Sequence, residues 1–179
     1  MLKKPVTELG RLSVEAFRAS GKTPVRVVLD NVRSMHNVGS VFRTADAFRI
    51  EGIDLCGYTP RPPHRDIHKT ALGATETVAW GAFDDAAECV RRLRAQGYLV
   101  FAVEQAHGSR PLQHWHHRPG MRVAVVFGNE AEGVGEAVIR ACDGCLEIPQ
   151  LGMKHSLNVS VAAGIVLWEL SRGAFGAMT

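Results

Sequence analysis

Three short stretches of the chain combine the residue types that ligand binding and group transfer need. The first is Asn37-Val-Gly-Ser-Val-Phe-Arg43, an amide where a helix would begin and a guanidinium six residues on. Gly39 leaves the first turn open to close approach. Arg43, nearly two turns along, is placed to reach back toward the same strand end, with the fork that grips a phosphate. The spacing also fits an ordinary helix-surface arginine. The second stretch, Phe127-Gly-Asn-Glu-Ala-Glu-Gly133, follows a strand directly and brackets polar residues with glycines. That is the composition of a ligand-facing loop at a strand's carboxyl end, and equally of a plain turn into a helix with an acidic start. The third runs from Ile148 to Ala163. Pro149 cannot continue a strand ladder, and Gly152 supports a tight turn or a close backbone approach. Ser156 and Asn158 are candidate caps for the helix that follows. A simple helix cap explains this stretch too.

Other groupings carry less. Cys142-Asp-Gly-Cys145 has metal-like spacing without a second Cys/His pair at finger spacing. His64 and His68 are four apart but lack the glutamate of a zinc protease helix. His114, His116 and His117 flank Trp115 in an expected surface loop, and no Ser-His-Asp order or carboxylate pair stands out. Neither a phosphate loop nor a dinucleotide fingerprint is present, which counts against a nucleotide-binding oxidoreductase.

The elements that must position these stretches alternate. Helical spacing is expected over 7–19, 37–50, 67–72, 84–96 and 134–141, and again from Val159 onward, where apolar residues recur on nearly every side. Strands are expected over 25–29, 53–58, 77–80, 98–103, 123–127 and 145–148. Tyr98–Val103 and Val123–Phe127 are continuous apolar runs, as in a parallel sheet covered on both faces. The alternation predicts a doubly wound α/β sheet. A short helical extension over 1–24 would precede a single domain over 25–179.

With 179 residues the chain is long enough for one real core. No apolar run approaches the ~20 residues of a membrane span, and the four cysteines lack framework spacing, so a reduced, cytoplasmic protein is expected. The net charge of +3 is unevenly spread: residues 1–73 hold twelve Lys/Arg against seven Asp/Glu, and the remainder nine against eleven. A basic front half suits an anionic partner, nucleic acid first.

Taken in order, the three stretches resemble the motifs of the SPOUT superfamily of RNA methyltransferases, in its SpoU/TrmH branch of ribose 2′-O-methyltransferases. Asn37-x-Gly39-x-x-x-Arg43 is similar to the first motif, Gly128-Asn-Glu130 with Gly133 to the second, and Ile148-Pro149, Gly152 and Ser156–Ala162 to the third. The resemblance implies a three-layer α/β/α fold with a parallel sheet and a deep C-terminal trefoil knot. It also implies S-adenosylmethionine as cofactor, an RNA substrate (transfer RNA ahead of ribosomal RNA), a homodimer, and no metal. Carried over, the catalytic positions are Asn37, Arg43, Glu130, Ser156 and Asn158, and the cofactor positions Val103, Glu104, Gly128, Asn129, Ile148 and Leu157. His36 and His155 are alternative bases. With few residues before the first strand, RNA would be held by the catalytic domain itself, through Arg11, Arg18, Lys22, Arg61, Arg65 and Lys69 contacting phosphates. The rival reading is a catalytically silent RNA-binding or assembly protein on the same fold.

Overall fold

The computed structural model describes residues 1–116, 118 and 120–175; His117, Pro119 and the last four residues lie outside them. Among the described residues seven strands form one sheet: β1 Thr23–Asp30, β2 Ile50–Cys56, β3 Trp80–Phe83, β4 Leu99–Val103, β5 Arg110–Pro111, β6 Val123–Phe127 and β7 Gly144–Glu147. Every pairing is parallel, in the order β3-β2-β1-β6-β4-β7-β5. The helices are α1 Val14–Ala19, α2 Met35–Ala47, α3 Arg65–Ala71, α4 Ala74–Thr77, α5 Ala86–Ala95, α6 Glu136–Ala141 and α7 Val159–Phe175.

The continuous apolar runs are explained by two cores. Val25, Val27 and Leu29 of β1 join a cluster with α2, α3 and α7, whereas Val28 joins Val126, Ala102 and the inner faces of α5 and α6. A strand buried on both sides needs hydrophobic residues at both parities. The strand order reverses between β1 and β6, and a crevice lined by the loops leaving the carboxyl ends of β6, β4 and β7 opens beside that point. Arg26 on β1 holds Asp54 on β2 through two hydrogen bonds of 2.9 and 2.7 Å, well away from that crevice.

Several element boundaries differ from expectation, each for a local reason. The expected helix over 7–19 is broken: a 3-10 turn at Val6–Leu9 ends at Gly10, which takes φ +56°, and α1 restarts under a Ser13 cap. Helix α2 begins two residues early because Ser34 Oγ accepts from Asn37 N–H (3.3 Å). It ends early because Arg49 turns to φ +47° and Ile50 already pairs with Thr23. The expected strand over 77–80 is partly helical: α4 ends at Thr77, whose hydroxyl donates to Asp46 Oδ1 (2.6 Å), and β3 starts only at Trp80.

Two further expectations change meaning. Gly39 does admit a close neighbour, but the neighbour is α3: a Cβ there would sit 2.1 Å from Thr70 Oγ1 and 2.3 Å from the Ile67 carbonyl. Helix α7 is not buried all round. Ala163, Val166, Leu167 and Leu170 face the core, while Val161, Ile165 and Trp168 remain 51, 39 and 52% exposed. One side of α7 meets α2 and β1; the other carries an apolar stripe at helical spacing.

Candidate active site

The loop after β6 is built by Asn129. Its backbone exchanges hydrogen bonds with Gly133 (3.0 and 2.9 Å), closing a tight turn in which Gly133 has φ +70°. The closure brings Gly128 so near that a Cβ would lie 2.1 Å from the Gly133 carbonyl carbon. The buried Asn129 side chain accepts from Ala131 and Glu132 N–H (2.8 and 3.1 Å) and donates to the Asn31 carbonyl and Tyr58 Oη (2.9 and 2.7 Å). Asn129 lines a cleft at this crevice, but its amide is fully engaged within the chain and has no capacity left for a cofactor.

Glu130, next in line, reaches across to α2. Its carboxylate accepts from Arg33 N–H (2.9 Å), Ser34 N–H (3.1 Å) and Asn37 Nδ2 (2.9 Å). The first turn of a helix leaves its N–H groups without intrahelical partners, and a carboxylate there is favoured by charge as well. Partial burial works against the Glu130 charge. The hydrogen bonds from Arg33, Asn37 and Ser34 outweigh it and hold the carboxyl below its ordinary range. Glu130 thereby ties the loop after β6 to the start of α2.

Asn37 passes the connection on. Its Oδ1 accepts from Asn158 Nδ2 (3.1 Å), and Asn158 Oδ1 accepts from Ser160 N–H (2.9 Å), Ser160 Oγ (2.7 Å) and Val161 N–H (3.4 Å) at the start of α7. Of the two candidate caps Asn158 serves; Ser156 is exposed and makes no hydrogen bond among the described residues. Three stretches far apart in the chain thus meet through Glu130, Asn37 and Asn158.

The cleft beside this junction has a volume of about 500 Å³. Its lining contains Val103, Glu104, Gly128, Asn129, Ile148 and Leu157, all six residues expected to lie against a cofactor, and also Glu130 and Ser156. Glu104 accepts from Val134 N–H (3.0 Å) and Gln105 N–H (2.9 Å), and Gln105 Nε2 donates to the His155 carbonyl (2.7 Å), tying the loop after β4 to the third stretch. At Gly152 the φ is ordinary and an added Cβ would meet no other atom of the chain.

Arg43 does not join this cluster. It is exposed, makes no hydrogen bond or ion pair among the described residues, and lies outside the cleft lining. Six residues carry it about 240° around the helix and about 9 Å along it from Asn37, on another side of α2. The basic candidates divide similarly. Arg18 donates to the Glu76 carbonyl (3.1 and 2.6 Å), and Lys22 caps the end of α1 through the Phe17 and Ser20 carbonyls (2.8 Å to Ser20). Lys69 pairs with Asp66 (2.8 Å) and Arg61 with Asp84 (3.7 Å), whereas Arg11 and Arg65 are exposed without such partners among the described residues.

Tyr58, Asn31 and Gln105 also hold the site together, and spacing did not single them out. The Asp30-Asn31 pair at a strand end was the available signal, since Asn31 adopts φ +56° there. No three His, Cys, Asp or Glu side chains gather into a metal site among the described residues, and Cys142 and Cys145 are free. Burial pushes the Cys142 thiol up to about 12. No helix among the described residues is long and apolar enough to cross a membrane.

Removing the Glu130 charge should loosen the junction. Glu130→Gln turns an amide donor toward three donors, and urea unfolding should show lower stability at pH 7. The sign with pH follows from the lowered carboxyl. Its contribution is present above the unfolded value near 4.5 and is lost as pH falls through the folded value. The gap between wild type and Glu130→Gln should therefore shrink below about pH 4. A gap that is constant from pH 7 to about pH 3 would remove this role.

Comparison with known proteins agrees with this geometry. The SpoU rRNA Methylase family model matches residues 24–168. The chain is 31% identical over 166 residues to the tRNA (guanosine(18)-2′-O)-methyltransferase of Thermus thermophilus, covering 93% of this chain and 84% of that one. It is 30% identical over 169 residues to a 23S rRNA (guanosine-2′-O-)-methyltransferase of Vibrio vulnificus, covering 94 and 67%. Among solved structures, an AdoMet-bound rRNA methyltransferase from Sinorhizobium meliloti superposes with a TM-score of 0.78 at 30% identity, over 91% of this chain and 61% of that one. With the three stretches meeting at one crevice of a matching fold, the chain belongs to the SpoU rRNA methylase family.

Proposed function

We propose that the protein transfers a methyl group from S-adenosylmethionine to a ribose 2′-hydroxyl of structured RNA, with transfer RNA as the substrate class. The observation that carries this reading is the Glu130–Asn37–Asn158 chain, which locks three loops around a cleft of the right size and character. The cleft fits the cofactor by its donor set. Val103, Phe127, Ile148 and Leu157 offer apolar surface for an adenine, and the carboxylates of Glu104, Glu130 and Glu132 favour a cationic ligand. The crowding at Gly128 keeps backbone, and no side chain, at one wall. The transfer RNA preference is supported by the greater share of the Thermus thermophilus relative that this chain matches.

When bound, S-adenosylmethionine supplies a methyl group on a sulfonium. In-line attack by the ribose oxygen forms the C–O bond as the C–S bond breaks, with the electron pair going to sulfur and the hydroxyl proton released. The chain's own contribution is largely positional. Asn37, Glu130 and Asn158 have their side chains occupied with each other, so they are positioning residues. Ser156, exposed at the cleft with its hydroxyl unengaged, is the group that contacts the ribose hydroxyl. Arg43, a permanently cationic residue type, grips an RNA phosphate from outside the cleft and steadies charge there.

The same reading includes a trefoil knot formed by the segment from β7 into α7, supported by the Gln105–His155 tie between the loops it would thread. It also includes a homodimer, supported by the exposed Val161, Ile165 and Trp168 stripe on α7. A single domain over 25–179 carries the chemistry, with α1 docked on it through Arg18.

Three outcomes are expected. Calorimetry should give micromolar binding of S-adenosylmethionine and none of NADH; Arg43→Ala should keep that binding and lose at least about 100-fold in turnover, a loss in the range for a positioned charge. Full turnover by Arg43→Ala would remove its assignment, and absent cofactor binding would favour a silent RNA-binding protein. Ile165→Asp, which places a charge on the stripe, should shift a dimer to a monomer in light scattering; an unchanged mass would place any interface elsewhere.

A further inference from the structure

A second groove, of about 540 Å³, lies away from the cofactor cleft at the β3 edge of the sheet. Its walls are Trp80, Pro62 and Pro63, with Ile67 at one side, and its polar groups are His64, Arg65, His68, Thr75 and Glu76. Trp80 is 39% exposed and has no ring partner among the described residues, unlike Trp168, which packs edge-on against Phe48 at 6.0 Å. Exposed aromatic surface and two proline rings thus share one groove.

The charges around the groove are mostly positive. Arg65 is exposed and unengaged among the described residues, and Arg18 reaches the same place by donating to the Glu76 carbonyl. Arg61 and Lys69 stand nearby, partly offset by Asp84 and Asp66. His64 accepts from Asp66 N–H through Nδ1 (3.2 Å), which orders the start of α3 and leaves its other nitrogen free to donate. Glu76 is the only carboxylate on the lining among the described residues. Helix α3, which forms one side of the groove, packs on α2 at Gly39, and Thr70 Oγ1 donates to the His36 carbonyl (3.0 Å) next to Asn37.

We propose that this groove holds an unpaired nucleobase of the RNA substrate, stacked on Trp80, with its phosphate on Arg65. An open aromatic side chain with cations beside it is how proteins hold single-stranded RNA: stacking provides sequence-tolerant affinity and the cations follow the backbone. Glu76 accepts from the exocyclic amino group of adenine, cytosine or guanine. The groove is joined to the catalytic frame through α3, so a base held there would help register the target ribose. This inference rests on the RNA methyltransferase reading.

The test is fluorescence anisotropy with a labelled oligoadenylate about ten nucleotides long, within the site sizes of single-strand binders, and with unlabelled transfer RNA as competitor. Trp80→Ala should weaken oligoadenylate binding by about tenfold, within the range for one lost base stack, and Trp80→Phe should restore most of it. Arg65→Ala should reduce the salt slope by about 0.7, the value for one phosphate contact on a single strand. S-adenosylmethionine calorimetry on each variant checks that the fold and the first cleft survive. If Trp80→Ala binds oligoadenylate as wild type does, the groove is not a base site, and the methyltransferase reading stands. The same conclusion follows if wild type binds transfer RNA but not oligoadenylate. Wild type that binds neither RNA would overturn the groove and the RNA reading together.

Discussion

The structure depends on one carboxylate meeting the open end of one helix. Glu130 leaves the loop after β6 and satisfies Arg33 and Ser34 N–H at the start of α2. Withdrawing that acceptor would strand donors that the helix itself cannot satisfy. Because Asn37 is bonded to the same carboxylate and Asn158 is bonded to Asn37, the start of α7 is positioned by the same contact. A charged cap on α2 therefore fixes the geometry of a cleft formed mainly by other segments.

The sheet makes this arrangement possible. Its order reverses between β1 and β6, so the loops carrying Asn31 and Glu130 leave from adjacent strands and meet above them. Asn129 converts that proximity into a rigid turn, with both ends of its amide used and Tyr58 tied in from the loop after β2. Gly128 is required because the turn closes at 2.1 Å from any added Cβ, and Glu104 crowds Gly133 from the other side. A turn held this way suits the proposed methyl transfer, which depends largely on placement.

Much of this was readable from residue types and order. The apolar runs of β4 and β6, the parallel sheet, the helix start bearing Asn37 and the loops bearing Glu130 and Asn158 follow from periodicity and from polar residues at strand ends. The six cofactor positions implied by family resemblance do share one cleft. Other features need coordinates. Spacing could not show that Arg43 lies outside the cleft, because only the packing of Val38, Val41 and Phe42 on the core fixes how α2 is turned. Nor could it show that the Asn129 side chain builds the loop, since its partners Asn31 and Tyr58 are 98 and 71 residues away in the chain. Arg18 and Lys22 read as phosphate contacts by charge alone, yet both are engaged with backbone carbonyls. The outer face of α7 reads as core from composition, and only the arrangement of α2 and β1 leaves it open.

The most direct measurement is to incubate the purified protein with methyl-labelled S-adenosylmethionine and unmodified transfer RNA, digest the RNA to nucleosides, and locate the label. Ribose methylation by this site predicts label in a single 2′-O-methylribose. Label on a base, or no transfer to either transfer RNA or ribosomal RNA under conditions where the cofactor binds, would contradict it.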